Sequence, residues 1–405
     1  MSLKRLVGLN IALALMACSI ATPAFADNES GESYEAVTLI GVSEINGSGA
    51  DLSGLLTPLS DGTPHNQLGG FSAIEYAGNG DLYYVLPDRG PKDGAVDYLP
   101  RFHTMRITIQ PDAETPVQTQ LVATQIFRNT SGQSFTGLAS AFEPTFENAG
   151  RFDPEGIRVR NGGNIVVSDE YGPHVIEFDQ SGNEVCRYDV PVRYLIENPG
   201  IDKPDENGKN TFGRSCNRGM EGLGITSDQR LFGLMQSPLL QDSVRDEEGK
   251  PKGLNCRMMQ LGAGPAEMLY HLDDESNKLN ELLSIDGDSF LVIERDGEAG
   301  DEAVYKKIIR IETSGASDIS GLETLPREEI PEGVSPVQKE VFIDLLNPRW
   351  GLTGEQMPEK IEGLCFGPDL ADGRKTILVM SDNDFESANP SRLFVFAVTP
   401  EHLGN

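Results

Sequence analysis

One device recurs along the chain and limits what it can fold into: a β-hairpin that opens on a glutamate. The clearest copy is residues 153–173. Ile157 and Val159 alternate with Arg158 and Arg160, the period of a half-buried strand. Asn161-Gly162-Gly163-Asn164 supplies residues that tolerate a tight turn, and Ile165-Val166-Val167 returns as a short buried strand. Antiparallel pairing then sets Glu155 beside Asp169 and Glu170 at one edge of the sheet. A third strand at 174–178 and a fourth at 184–190 follow across another turn. Four strands in about 36 residues is the size of one propeller blade.

The same grammar restarts at Gly69, Glu221, Glu281 and Glu362. Each copy opens an inner strand, returns as an apolar second strand and ends in a polar cluster. The copies recur roughly every 60–85 residues, longer than the ~40–50 of a minimal blade. Polar insertions at 191–218 and 241–256 and long loops take up part of the excess. The stretch around 102–150 has room for a further blade. The strand at 37–42 is placed to close a ring by pairing with C-terminal strands. The fold expected is all-β, a β-propeller of about six four-stranded blades, with a large β-sandwich as the alternative.

The first residues read as an export signal. Lys4 and Arg5 precede an apolar run from Leu6 to Ile20, and Ala24-Phe25-Ala26 fits a cleavage site. A lipoprotein signal ending at Cys18 is the rival reading. The division expected is a signal peptide at 1–26, an N-terminal strand and loop at 27–66, and the repeat domain at 67–400. No later stretch has the ~18 apolar residues of a membrane span, so a periplasmic or secreted protein is expected. Four cysteines survive cleavage. Cys216 with Cys256 is the preferred disulfide, and Cys365 sits in an apolar run that suits a buried thiol.

The formal charge is -30, with 63 acidic residues. Such a surface repels nucleic acid and anionic lipid and suits cations. In a propeller the start of each inner strand and the end of the next lie on one face. Glu155, Glu221, Glu281 and Glu362 are therefore expected to converge at one channel mouth, ringed by Asp88, Asp169, Glu170, Glu294 and Asp382. Converging carboxylates repel unless protonated, paired or metal-bound. Calcium, a hard cation that takes oxygen ligands, answers that need, and Glu155, Glu221, Glu362, Asp382 and Asp88 are its candidate ligands. Arg89 and Arg295 follow acids directly and suit an anion such as phosphate. His174, at a strand start beside the acidic cluster, is the general-base candidate among five histidines. Glu155 and Asp169 complete the candidate catalytic set. A purely structural role for the Glu-Gly pairs is the alternative: each carboxylate accepts backbone N–H groups while glycine permits close packing at the axis. There is no Gly-x-Ser-x-Gly elbow, His-Glu-x-x-His or Walker loop.

Five motifs, taken in order, carry a resemblance: Asp153-Pro154-Glu155-Gly156-Ile157; Ser168-Asp169-Glu170-Tyr171-Gly172-Pro173; Met220-Glu221-Gly222-Leu223; Leu291-Val292-Ile293-Glu294-Arg295-Asp296; and Ile361-Glu362-Gly363-Leu364 with Ser381-Asp382-Asn383. The set resembles the phytase-like domain family, named for esterase-like activity of phytase, over roughly residues 68–398. The resemblance implies an exported β-propeller, and the family's name suggests hydrolysis of a phosphate or other ester. A small-molecule substrate and a monomeric chain are expected. A non-catalytic propeller that binds a ligand or partner, with a structural cation, is the competing expectation. A carboxylic esterase is a third.

Overall fold

The computed structural model describes residues 26–27 and 33–404, without 263, 265 and 353. The expected export signal lies outside the described residues except for Ala26. Five antiparallel four-stranded sheets form the body. The first blade is Phe71–Tyr76, Leu82–Pro87, Arg101–Ile109 and Val117–Ile126. The second is Pro154–Val159, Ile165–Asp169, Val175–Phe178 and Glu184–Tyr188. The third is Met220–Ile225, Leu231–Met235, Asn255–Leu261 and Ala266–His271. The fourth is Lys278–Ser284, Ser289–Arg295, Lys306–Glu312 and Gln338–Asp344. The fifth takes Lys360–Gly367, Lys375–Asp382 and Ser391–Val398 from the C-terminal end, and Val37–Ile45 is its outer strand.

The architecture is thus a five-bladed β-propeller, one blade fewer than the repeat spacing suggests. The 102–150 region is not a blade of its own. It holds the outer two strands of the first blade and a connecting loop. The closing role expected of the strand at 37–42 holds, with Val37 opposite Val398 and Ile45 opposite Ser391. Joining the two ends of the chain in one sheet removes the open edges a linear array would leave.

Each inner strand touches the next around the ring, and an apolar cluster fills each gap between sheets. Between the first and second blades, Leu86 and Phe102 meet Ile157, Ile165 and Phe178. Between the third and fourth, Leu234 and Met258 meet Phe290 and Val292. Corresponding clusters lie in the other three gaps. Two strands had no sequence signal. Asn255–Leu261 buries Arg257 among methionines and so lacks alternation, and Gln338–Asp344 is an outer strand with a largely polar face. The expected Cys216–Cys256 disulfide is not formed. The four cysteines among the described residues are free thiols, and Cys256 and Cys365 are buried. Among the described residues no helix is long and apolar enough to cross a membrane.

Candidate functional site

The glutamates of the repeat owe their direction to bulges. Every inner strand slips register once, at Ser72, Glu155-Gly156, Glu221, Glu281 and Glu362. A bulge adds a residue without a cross-strand partner and re-aims its side chain. The glycine that follows most of them answers crowding at the axis. A Cβ at Gly156 would lie 2.8 Å from the Glu221 carbonyl oxygen, and one at Gly363 would lie 3.1 Å from the Ile74 nitrogen. Glu-Gly is therefore a packing rule as well as the device that re-aims a carboxylate.

Four of the five bulged residues, Ser72, Glu155, Glu221 and Glu362, line a narrow neck of about 50 Å³ at the channel mouth. Asp88, at the end of a second strand, joins them, as do Glu170 and Asp382. Above the neck lies a basin of about 620 Å³ that shares Asp88, Asp93, Lys203, Asn217, Lys278 and Lys360 with it. Glu281 departs from this pattern. Its carboxylate turns toward the axis and meets the Arg158 guanidinium at 2.8 Å, so it does not reach the mouth. Arg158 crosses the axis, donating to the carbonyls of Ile157 (2.7 Å), Leu282 and Leu364 (3.2 Å each), with Glu75 at 3.3 Å. One guanidinium thus holds two carboxyls, that of Glu281 buried and that of Glu75 partly so. Burial raises both, Glu281 to about 8.

Glu294 is also absent from the ring. It alternates with Arg295 along the strand and faces away from the mouth, accepting from Tyr270 Oη (2.7 Å) and Asn277 Nδ2 (2.9 Å) beside Lys339 Nζ (2.8 Å). Asp169 turns into its own loop, accepting from the backbone N–H groups of Asp153 (2.9 Å), Tyr171 (3.1 Å) and Gly172 (2.8 Å). His174 packs its ring over Gly172 and does not line the neck or basin.

Two arginines are committed to carboxylates. Arg89 reaches Asp153 with its backbone N–H (2.9 Å) and with Nη1 (2.5 Å), and Glu170 Oε2 lies 3.6 Å away. Arg295 Nη2 meets Glu362 Oε1 at 2.6 Å, while its other nitrogens donate to the carbonyls of Ile361 and Asp296. Lys360 bridges Asp382 (3.1 Å) and Asp384. Glu221 accepts from Gln236 and from Asn280 Nδ2 (3.1 Å). Glu155 has no hydrogen-bond donor or cation partner among the described residues. Candidate ligand oxygens of Asp153, Glu155 and Glu170 lie within 4.8 Å of one another.

Such crowding shows in the proton affinities. Burial, then Glu221, Asp153, Glu170 and Glu362, pushes Glu155 well above the usual carboxylate range. Glu221 is raised likewise by burial and by Glu170 and Glu362, and Asp88 by burial, Asp382 and Asp153. Asp153 and Asp382 rise to about 7, burial outweighing Arg89 in the first and Lys360 in the second.

Sequence reasoning missed the opposing charges. Lys92, Lys203, Lys278 and Arg218 have no carboxylate within salt-bridge reach among the described residues. Lys92, Lys203 and Lys278 line the basin. Burial, then Arg295, Arg218 and Lys203, lowers Lys278 to about 8. Lys278 and Lys360 each begin an inner strand, a few residues before the bulged glutamate, which is the one sequence cue to them. Lys203 and Arg218 arrive from the 191–218 insertion, whose spacing carries no signal. Chemically, the neck can bind a cation through oxygens, and the basin can bind an anion beside it.

The sequence profile of the family described as "Phytase-like: Esterase-like activity of phytase" matches residues 66–385. An "Uncharacterized secreted protein" of Arthroderma benhamiae is 24% identical over 440 residues, covering 81% of this chain and 85% of that protein. Among solved structures, a streptogramin B lyase is 11% identical and covers 87% of this chain and 97% of its own, with a TM-score of 0.35. A catalytically inactive virginiamycin B lyase from Staphylococcus aureus with quinupristin is 10% identical, covering 88% and 99%, also with a TM-score of 0.35.

Proposed function

The chain belongs to the phytase-like family, and from that premise we propose an exported hydrolase of phosphoric esters that works with calcium at the channel mouth. The observation that carries this reading is the meeting of unpaired charges of both signs. Buried carboxylates outnumber cations in the neck, Glu155 among them without a partner, while Lys203 and Lys278, which line both neck and basin, pair with no carboxylate among the described residues. In a chain with 63 acidic residues, lysines left unpaired at one place suit an anionic ligand. Export is supported by the secreted relative.

The donor set fits calcium. It is made of oxygens, it is flexible in number, and Glu155 has no other partner. Glu155 would be the central ligand, with Glu170, Glu221 and Asp88 around it. Glu362 and Asp382 would contribute from their pairs with Arg295 and Lys360. Bound calcium supplies charge that neutralises phosphate oxygens and lowers the pKa of water.

The remaining work falls to the chain. Lys203 and Lys278, which line both neck and basin, hold phosphate oxygens and stabilise the charge that develops on them. Arg89 and Arg295 are occupied by Asp153 and Glu362, so they position those carboxylates. Water adds across the phosphorus–oxygen bond. The proton that the attacking oxygen gives up passes through solvent to the departing alcohol oxygen as the phosphorus–oxygen bond to it breaks. Asp169 shapes the loop beneath Glu170, and His174 stands outside this scheme.

Hydrolysis of phytate and simple phosphoesters, with calcium and with chelator, tests the reading. The expected result is calcium-dependent phosphate release that falls at least about a hundredfold in the Glu155→Gln, Glu221→Gln double variant. Equal rates in wild type and variant would sink it. Calcium-dependent thermal stabilisation with no turnover on any ester would favour the binding propeller instead.

A further inference from the structure

A second cavity of about 230 Å³ opens beside the neck. It shares Arg89, Asp93, Lys203 and Asn217 with the neck, but its remaining walls are largely apolar: Ala139, Tyr171, Ile201, Pro204 and Cys216. Asp202 also lines it, and its carboxylate is engaged in accepting from the Asp205 N–H at the start of the helix Lys203–Lys209.

The cavity is built rather than incidental. Buried Glu206 accepts from the Gly200 N–H (2.9 Å) and pairs with Arg214 (2.6 Å) and Arg151 (3.3 Å). Arg214 donates to the Tyr171 carbonyl through Nε (3.0 Å) and Nη2 (2.8 Å). The Tyr171 hydroxyl donates to the Gly137 carbonyl (2.9 Å), with the Arg151 guanidinium 4.5 Å from the ring centre. The insertion at 191–218 is thereby anchored to the second blade, and its loop forms the far wall. Burial and Glu206 push the Cys216 thiol up to about 12, so it stays a neutral wall atom. Ile201, at the rim, is 55% exposed, where an apolar ligand would cover it.

We infer that this side cavity receives a compact apolar group on the alcohol side of the ester, so the preferred substrates are phosphomonoesters of phenyl-sized alcohols rather than polyol phosphates. This rests on the phosphoester reading. The phosphate sits between neck and basin, and Arg89, Asp93, Lys203 and Asn217 border both neck and side cavity, the Asp93 carboxylate being paired with Arg89 at 3.0 Å. A polyol would instead have to extend into the open charged basin, where its hydroxyls stay wet and gain little.

Calorimetry on the mature protein in calcium compares benzylphosphonate with methylphosphonate, neither of which is hydrolysed. Benzyl phosphate and glycerol phosphate, whose leaving alcohols are both poor, give the matching kcat/KM ratio. The expected preference for the benzyl compound is about tenfold, the discrimination one apolar pocket supplies. Ile201→Asp, at an exposed rim position, and Ala139→Phe, which fills the cavity, should each bring the ratio close to one. Equal affinity for the two phosphonates in wild type overturns the inference while leaving the phosphoester reading intact. So does a preference that survives both substitutions. If neither phosphonate binds and no ester is hydrolysed, the phosphoester reading falls and the inference falls with it.

Discussion

Replacing Glu155 by glutamine should separate the cation site from the fold. Two ionised oxygens at the 4.8 Å limit of the Asp153–Glu155–Glu170 group repel by roughly 3.5 kcal/mol at an effective dielectric of 20. Arg89 offsets the Asp153 charge but leaves Glu155 without a cation of its own. Metal-free protein therefore keeps a proton on Glu155, and glutamine, a neutral isostere, should shift stability by less than ~1 kcal/mol. With calcium the comparison changes. A ligand at a hundred times its Kd stabilises the folded state by about 2.7 kcal/mol. At ~2.1 cal/mol/K per residue, a chain of this length has an unfolding entropy near 0.8 kcal/mol/K, so the melting temperature rises by roughly 3–4 °C. If the substitution weakens calcium about a hundredfold, the same calcium concentration yields only ~0.4 kcal/mol, or about half a degree. Scanning calorimetry with calcium and with chelator reads both values. Equal calcium shifts in the two proteins, or no shift in wild type at ten millimolar calcium, would refute the placement of the cation at Glu155.

Proton linkage adds a second prediction. Asp153 and Asp382 at about 7 and Glu281 at about 8, with Glu155, Glu221 and Asp88 also raised, hold protons that the unfolded chain has already lost. Their stabilising contribution is complete below the unfolded carboxylate range and is lost as pH rises through the folded values. Melting temperature without calcium should thus fall by several degrees between about pH 5 and pH 8, and calcium should flatten that slope, because bound ligands ionise. A flat metal-free profile would contradict the crowding. Third, Arg158→Met strands Glu75 and Glu281 and frees the carbonyls of Ile157 on its own inner strand and of Leu282 and Leu364 on two others. The expected loss is about 3–5 kcal/mol in urea unfolding, partly recovered by adding Glu281→Gln; a loss under ~1 kcal/mol would show that the axis does not need it. Fourth, a Cβ at Gly137 would lie 1.7 Å from the Arg89 carbonyl oxygen. Gly137→Ala should cost roughly 1–3 kcal/mol and shift Arg89 away from Asp153, seen as lower calcium affinity in the same calorimetry.

The hairpin grammar was readable because its causes are local. A bulge that aims a carboxylate inward, a glycine where strands crowd, and an apolar return strand all leave marks within a few residues. The propeller class, the pairing of the N-terminal strand with the last blade and the gathering of Glu155, Glu221, Glu362, Asp88 and Asp382 follow from those marks. Blade count was harder. The outer strand Gln338–Asp344 is largely exposed, so burial imposes little pattern on it, and the strands at Arg101–Ile109 and Val117–Ile126 carry no mark of which blade they complete. The fate of equivalent residues was also out of reach. Glu281 occupies the same bulge as its relatives, yet Arg158 from another blade draws it to the axis. Glu294 and Arg295 are neighbours in sequence on opposite faces of one strand. Lys203, Lys278, Lys360 and Arg218 converge from two blades and an insertion, and no spacing encodes that. Periodicity records what each strand needs from its own sheet, whereas the electrostatics of the mouth depend on which charges the closed ring brings within a few ångströms of one another.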